Sequence, residues 1–270
     1  MHISDQLEAL AKRNMSPEIT NGWFAESLRL SFFGVTDWTQ RALFSEVTDT
    51  VAAQINAQPA LQIQQEQGIV ADAYLTIGQQ ANRIDLILSD QPTRNTVDPE
   101  KPGFRPLFWV DSFGKSIEIF DRITAKTLTI IRGATRVAYA VTVIQQTENI
   151  RDAGGILHDC LPTVQFDPKC DVDVSFQINR PIRDQAGRLI NRLARWDTIQ
   201  VTTLRVSVGG VGSLSTVPSA PPLCAARIYA DISTDAENTT PFSHPELEKI
   251  VADLRGHAIA IVEQGDSHEA

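Results

Sequence analysis

At 270 residues, with 42% hydrophobic and 21% charged side chains, the chain is long enough to bury a sizeable core as one large domain or two smaller ones. A net charge of −9 argues against non-specific nucleic-acid binding, which needs many cations on phosphates, and the three cysteines (160, 170, 224) are too few and odd in number for a disulfide scaffold. No apolar run approaches the roughly 20 residues of a membrane helix, and the opening MHISDQLEALAKRN holds acids where a signal peptide would be apolar. These features predict a cytoplasmic chain.

In chain order, Ile3, Leu7, Leu10 and Ala11 have helical spacing until Pro17 breaks it, as in a docked or loosely held arm. Leu28, Leu30 and Phe32 alternate with Arg29 and Ser31 and predict the first strand, with Phe33 buried as well. Thr36 or Asp37 can cap a helix whose apolar face is Phe44, Val47, Val51 and Ile55, ended by Pro59. Leu61 and Ile63 predict a strand with a wet face of Gln62 and Gln64, and 73–77 with 83–88 predict a hairpin. The proline-rich stretch 91–106 reads as an irregular loop, and 107–110 as a short strand.

The centre of the chain is more regular. Phe113, Ile117, Phe120, Thr124, Leu128 and Ile131 lie at steps of three or four, the spacing of one helix face; Asp111 or Ser112 can cap it and Gly133 can stop it. Residues 134–148 then alternate apolar and small side chains on both faces, as a central strand does.

In the second half, Val172, Val174, Phe176 and Ile178 predict a half-buried strand, 189–195 a helical turn, and 198–208 and 223–232 further strands. The glycine- and proline-containing stretch 209–222 reads as a flexible loop. Ser243 and Glu246 have the spacing of a capping box for a last helix that buries Leu247, Ile250, Val251, Leu254, Ala258 and Ile261. That face contributes at most roughly 10 kcal/mol. The tail from Gly265 is expected to be disordered. The fold class is therefore α+β: two similar strand-rich halves, 1–150 and 151–270, each with a long amphipathic helix on a mostly antiparallel sheet. The halves share one sheet or pack face to face.

Three segments resemble a sporadically distributed prokaryotic family of uncharacterised proteins of about 250–270 residues. RVAYAVTVIQQTENI from Arg136 is similar to its central strand, DAGGILHDCLP to its descending segment, and RIYADIS from Arg227 with the Ser243 helix to its closing strand and terminal helix. The family's tyrosine-asparagine step is replaced here by Tyr139–Ala140. The resemblance implies no catalytic residues; a patchy distribution suits an accessory or defence-associated gene.

Two groups of residues carry candidate chemistry. His158 and Cys160 face together on an extended chain, and a thiolate beside an imidazole is a nucleophile for hydrolysis or acyl transfer; the bland reading is a surface turn. With Cys170 they lack the fourth ligand and the spacing of a zinc site, so no metal or other cofactor is expected. Arg180, Arg183, Arg188, Arg192 and Arg195, with Trp196, are the one positive concentration. They suit a small anionic ligand, a nucleotide or RNA, with Arg188, Arg192 and Arg195 on one face if the turn is helical; the bland reading is a solvated surface paired to Asp184 and Asp197. Gly209, Gly210 and Gly212 lack the lysine of a phosphate loop. With no complete catalytic constellation, the leading expectation is a non-enzymatic interaction protein or accessory subunit, bound to a protein partner or to copies of itself.

Overall fold

The computed structural model describes residues 22–35, 41–91, 109–202, 204–208, 214–218 and 222–267. The expected N-terminal arm, the Thr36 or Asp37 cap, the 92–106 loop and the last three residues lie outside them.

The described residues form a ten-stranded antiparallel sheet of order β2-β3-β4-β5-β1-β6-β12-β9-β7, with β8 also on β9. The strands are β1 (Phe24–Phe33), β2 (Gln54–Gln58), β3 (Ile63–Val70), β4 (Ala73–Gln80), β5 (Arg83–Ser89), β6 (Arg136–Thr147), β7 (Ser175–Asn179), β8 (Ile182–Arg183), β9 (Leu189–Val201) and β12 (Leu223–Thr234). A separate hairpin pairs β10 (Leu204–Val208) with β11 (Leu214–Pro218), so part of the expected 209–222 loop is strand. Residues from both expected halves enter one sheet, which they join across the β6–β12 ladder.

Register decides which face is dry. Leu30 pairs with Leu86 and Tyr139, Tyr139 with Ile232, and Ile228 with Trp196, so one face carries an apolar row from β5 to β9. Four helices are packed on that face: α1 (Leu43–Thr48), α2 (Phe113–Ile130), α3 (Ile150–Cys160) and α4 (His244–Gln264). α2 buries its predicted face, and Phe120 meets Tyr139 edge-on at 5.9 Å between centroids. Gly133, at φ +78°, follows its end. In α4 the capping box is formed, Ser243 N–H donating to Glu246 Oε2 at 2.9 Å, and the predicted face is buried. Asp121 of α2 accepts a hydrogen bond from Arg255 Nε of α4 at 2.8 Å and forms an ion pair with its Nη2 at 2.7 Å, tying the two long helices together.

Several expectations are corrected. The helix predicted through Val51 and Ile55 is six residues long. Asp49 takes a φ of +60°, and Thr48 folds its hydroxyl back onto the Phe44 carbonyl at 2.6 Å. Ile55 then lies in β2. In β3 the sides are reversed: Gln64 and Glu66 are buried and Ile63 is exposed. Phe44 N–H donates to Glu66 Oε2 at 2.6 Å, and Gln64 and Gln79 donate to Oε1 at 2.5 and 3.3 Å. The carboxylate thus satisfies an open amide at the start of α1. Phe33 is half-exposed beneath Arg83 and Arg136, at 4.8 and 4.9 Å from its ring. Trp109 and Val110 are not a strand; the Val110 N–H bonds to Ala25 O at 2.7 Å. The strand expected from Val172 begins at Ser175, leaving Val172 exposed. The segment 189–195 is strand β9, and Gly265–Ser267 is a docked 3-10 turn, with Asp266 buried. Gly265 is at φ +63°, and an added Cβ would overlap the Cys160 carbonyl, so the end of α4 closes on the end of α3.

Candidate functional site

Because 189–195 is extended, the arginines do not share a face. Ile190, Arg192, Ala194 and Trp196 point toward the helices, and Arg195 and Asp197 point to the opposite side of the sheet. Trp196 is 1% exposed and packs beside Phe176 at 5.9 Å, so it cannot stack on a base. Arg183 is exposed at the β8–β9 turn and donates to Gly187 O at 2.8 Å. Arg188 is held by Asp184 at 2.7 Å, which together with two backbone amides keeps that carboxyl below its usual range despite its burial. Arg195 lies over Tyr229 at 5.7 Å. The single anion-binding surface expected of these residues is therefore divided between two faces and a turn.

Arg180 and Arg192 stay together. Arg180 N–H donates to Arg192 O at 3.0 Å, and Arg192 Nε returns a bond to Arg180 O at 3.2 Å. Their side chains line a cavity with Ile178, Ala194 and Trp196 from the sheet and Ile261, Gly265 and Asp266 from the end of α4. Arg180 Nη1 donates to the Asp266 carbonyl at 2.5 Å. Burial raises the Asp266 carboxyl, with Arg180 pulling the other way. Asp266 lies in the stretch read as a tail, so periodicity had no means of finding it.

The face opposite the helices is polar and partly buried. Arg29 and Asp231 form an ion pair at 3.1 Å across Ala140, the residue that separates them in register, and Tyr229 Oη donates to Asp231 at 2.8 Å. Arg227 pairs with Asp197, and burial raises the neighbouring Glu26 carboxyl. Ser31 donates to Asp85 at 2.5 Å. Hydrogen bonds and ion pairs link most of these groups, while the buried Arg29 Nε has no hydrogen-bond partner among the described residues.

His158 and Cys160 lie on α3, not on an extended chain. Asn149 Oδ1 caps that helix, accepting from Arg151 and Asp152 N–H at 3.0 and 3.1 Å; the Asn149–Asp152 spacing was the available signal. Residues two apart on a helix do not face each other. His158 meets Asp159 at 3.8 Å and the Phe166 ring at 5.4 Å. Burial, with Asp159 and Asp266 nearby, pushes the Cys160 thiol up to about 11, away from thiolate. Cys170 is exposed, and Asp167 raises its thiol also. Among the described residues no three His, Cys, Asp or Glu converge as metal ligands would.

The β2 edge of the sheet is open among the described residues. All five residues of β2 are exposed, and Val51 (84%), Ile55 (55%) and Leu61 (63%) stand in solvent around it. Ile63 and Ile69 of the adjoining β3 are exposed too. Among the described residues no helix is long and apolar enough to cross a membrane. A scan against protein-family models returns no match, and no curated protein matches the chain.

Proposed function

We propose that this chain is a non-enzymatic interaction subunit that assembles through the β2 edge of its sheet, pairing with β2 of a second copy. The observation that carries the reading is an uncharged strand at the sheet edge, flanked by exposed apolar side chains among the described residues. An edge strand offers alternate backbone N–H and C=O groups to another chain, and proteins that avoid such pairing place lysine, proline or a bulge there. Gln54–Gln58 holds none of these. Its sequence, QINAQ, also suits antiparallel pairing about Asn56: Gln54 falls opposite Gln58, and Ile55 opposite Ala57. Such a contact is isologous and closes as a dimer. Layout resemblance to a patchily distributed prokaryotic family supports an accessory role for it in the cytoplasm.

The test is light scattering after size exclusion across a wide concentration range. The chain is expected to dimerise, and Ile55→Lys is expected to give a monomer with unchanged circular dichroism, because the side chain is outside the core. A strict monomer that recruits another protein through this edge would replace the second copy by a foreign partner; a dimer indifferent to Ile55→Lys would overturn the β2 contact.

A further inference from the structure

We propose that the cavity between β9 and the end of α4 binds a small carboxylate, with the Arg192 guanidinium and the Trp196 indole N–H as its donors. Arg192 is 4% exposed; its Nε is engaged by Arg180 O, while its buried Nη1 has no hydrogen-bond partner. Trp196 is 1% exposed, and its Nε1 is likewise buried without a partner. Asp266 is 3% exposed; Thr163 donates to its Oδ2, and its Oδ1 has no partner. Buried polar atoms are usually bonded, and of the twelve buried side-chain atoms without a hydrogen-bond partner among the described residues, three line this one cavity.

Charge points to the sign of the ligand. Two guanidinium groups, Arg180 and Arg192, face one carboxyl, Asp266, across the cavity. Arg180 lies against Asp266, whereas the charge felt by Arg192 is that of Arg180, which together with burial lowers its pKa. A buried cation without an adjacent counter-charge is costly, and a carboxylate oxygen beside Arg192 supplies one locally. The same arginine, with burial, holds His257 below its usual range.

Size and donor pattern then select the class. A volume of about 20 Å3 takes one or two water-sized atoms, which fits the two oxygens of a carboxylate, whereas a phosphate would bring four oxygens to the same three protein atoms. One oxygen meets Arg192 and Trp196. The second meets Asp266 Oδ1 across one proton taken up from solvent on binding, so binding adds no net charge to the cavity; the upward shift of that buried carboxyl favours this uptake. Ile178, Ala194 and Ile261 offer apolar walls to a short aliphatic stem.

Thermal unfolding of the full chain in acetate or propionate, against chloride and phosphate at matched ionic strength, tests this. A carboxylate at ten times its Kd is expected to raise the midpoint by about 2–4 °C beyond the chloride value. Phosphate is not. Arg192→Met should abolish the shift. Trp196→Phe keeps the ring and removes the donor, and should weaken the apparent affinity about tenfold. Equal shifts in all three salts, no shift in any, or full carboxylate binding by Trp196→Phe would each overturn the proposal.

Discussion

Replacing Gly68 by alanine should destabilise the fold, although the general rule for such a change points the other way. Gly68 sits inside β3 without a left-handed φ, so alanine adopts its backbone freely and should stabilise by about 0.4–1 kcal/mol through the unfolded chain. Contact reverses the sign. An added methyl would stand 2.5 Å from Cζ of Phe44 and 3.0 and 3.2 Å from its Cε atoms. The ring has little room to retreat: Phe44 is fully buried, and its N–H is held at 2.6 Å by Glu66 on the same strand as Gly68. Overpacking of this kind costs about 1–3 kcal/mol. The net loss is about 0.5–2 kcal/mol, or a fall in midpoint of about 2–6 °C. Denaturant and thermal unfolding of Gly68→Ala, Phe44→Leu and the double variant measure it, with a coupling of at least about 0.5 kcal/mol expected because leucine vacates the contested space. A Gly68→Ala protein as stable as the parent, or strictly additive effects, would refute the argument.

Two further outcomes follow from the helical layer. Arg255→Ala leaves the mostly buried Asp121 carboxyl without its partner and should cost about 2–4 kcal/mol near neutrality. Burial already raises the Asp121 pKa in spite of Arg255, and a raised pKa contributes stability that is complete below the unfolded value and lost as pH rises through the folded one. Without Arg255 the folded pKa rises further, so the deficit should widen from mildly acidic pH to neutral pH; a pH-independent deficit in urea unfolding contradicts this. Cys160 should react with a disulfide reagent well below the rate of an unhindered thiol at neutral pH and accelerate toward pH 11, in line with a thiol pushed up to about 11. A fast neutral reaction at that residue would revive it as a nucleophile.

Much of the architecture was legible in the chain because local spacing and burial agree there. The helix faces of α2 and α4 and the alternation of β1 and β6 reflect one repeat meeting one core, and their apolar side chains are buried as read except Phe33; the capping box at Ser243 forms as its spacing predicts. The cavity between β9 and the end of α4 was legible only as composition. Composition marks Arg180 and Arg192 as part of a cationic concentration, but a helical turn over 189–195 puts Arg192 and Arg195 on one face, whereas strand β9 sends them to opposite ones. The β2 edge was hidden the same way, since Phe44, Val47, Val51 and Ile55 keep helical spacing past the residue where Asp49 turns the chain.

The sequence by itself determined which side chains of the two long helices are buried and where the last helix starts, because those depend on neighbours a few residues away. Tertiary structure alone decided that Glu66 faces inward beneath α1, that Ala140 lies under an ion pair from two other strands, and that Asp266 returns from the end of α4 to Arg180. Each depends on partners brought together by strand register and helix docking. Only the folded chain reveals whether a polar side chain meets water or another polar group.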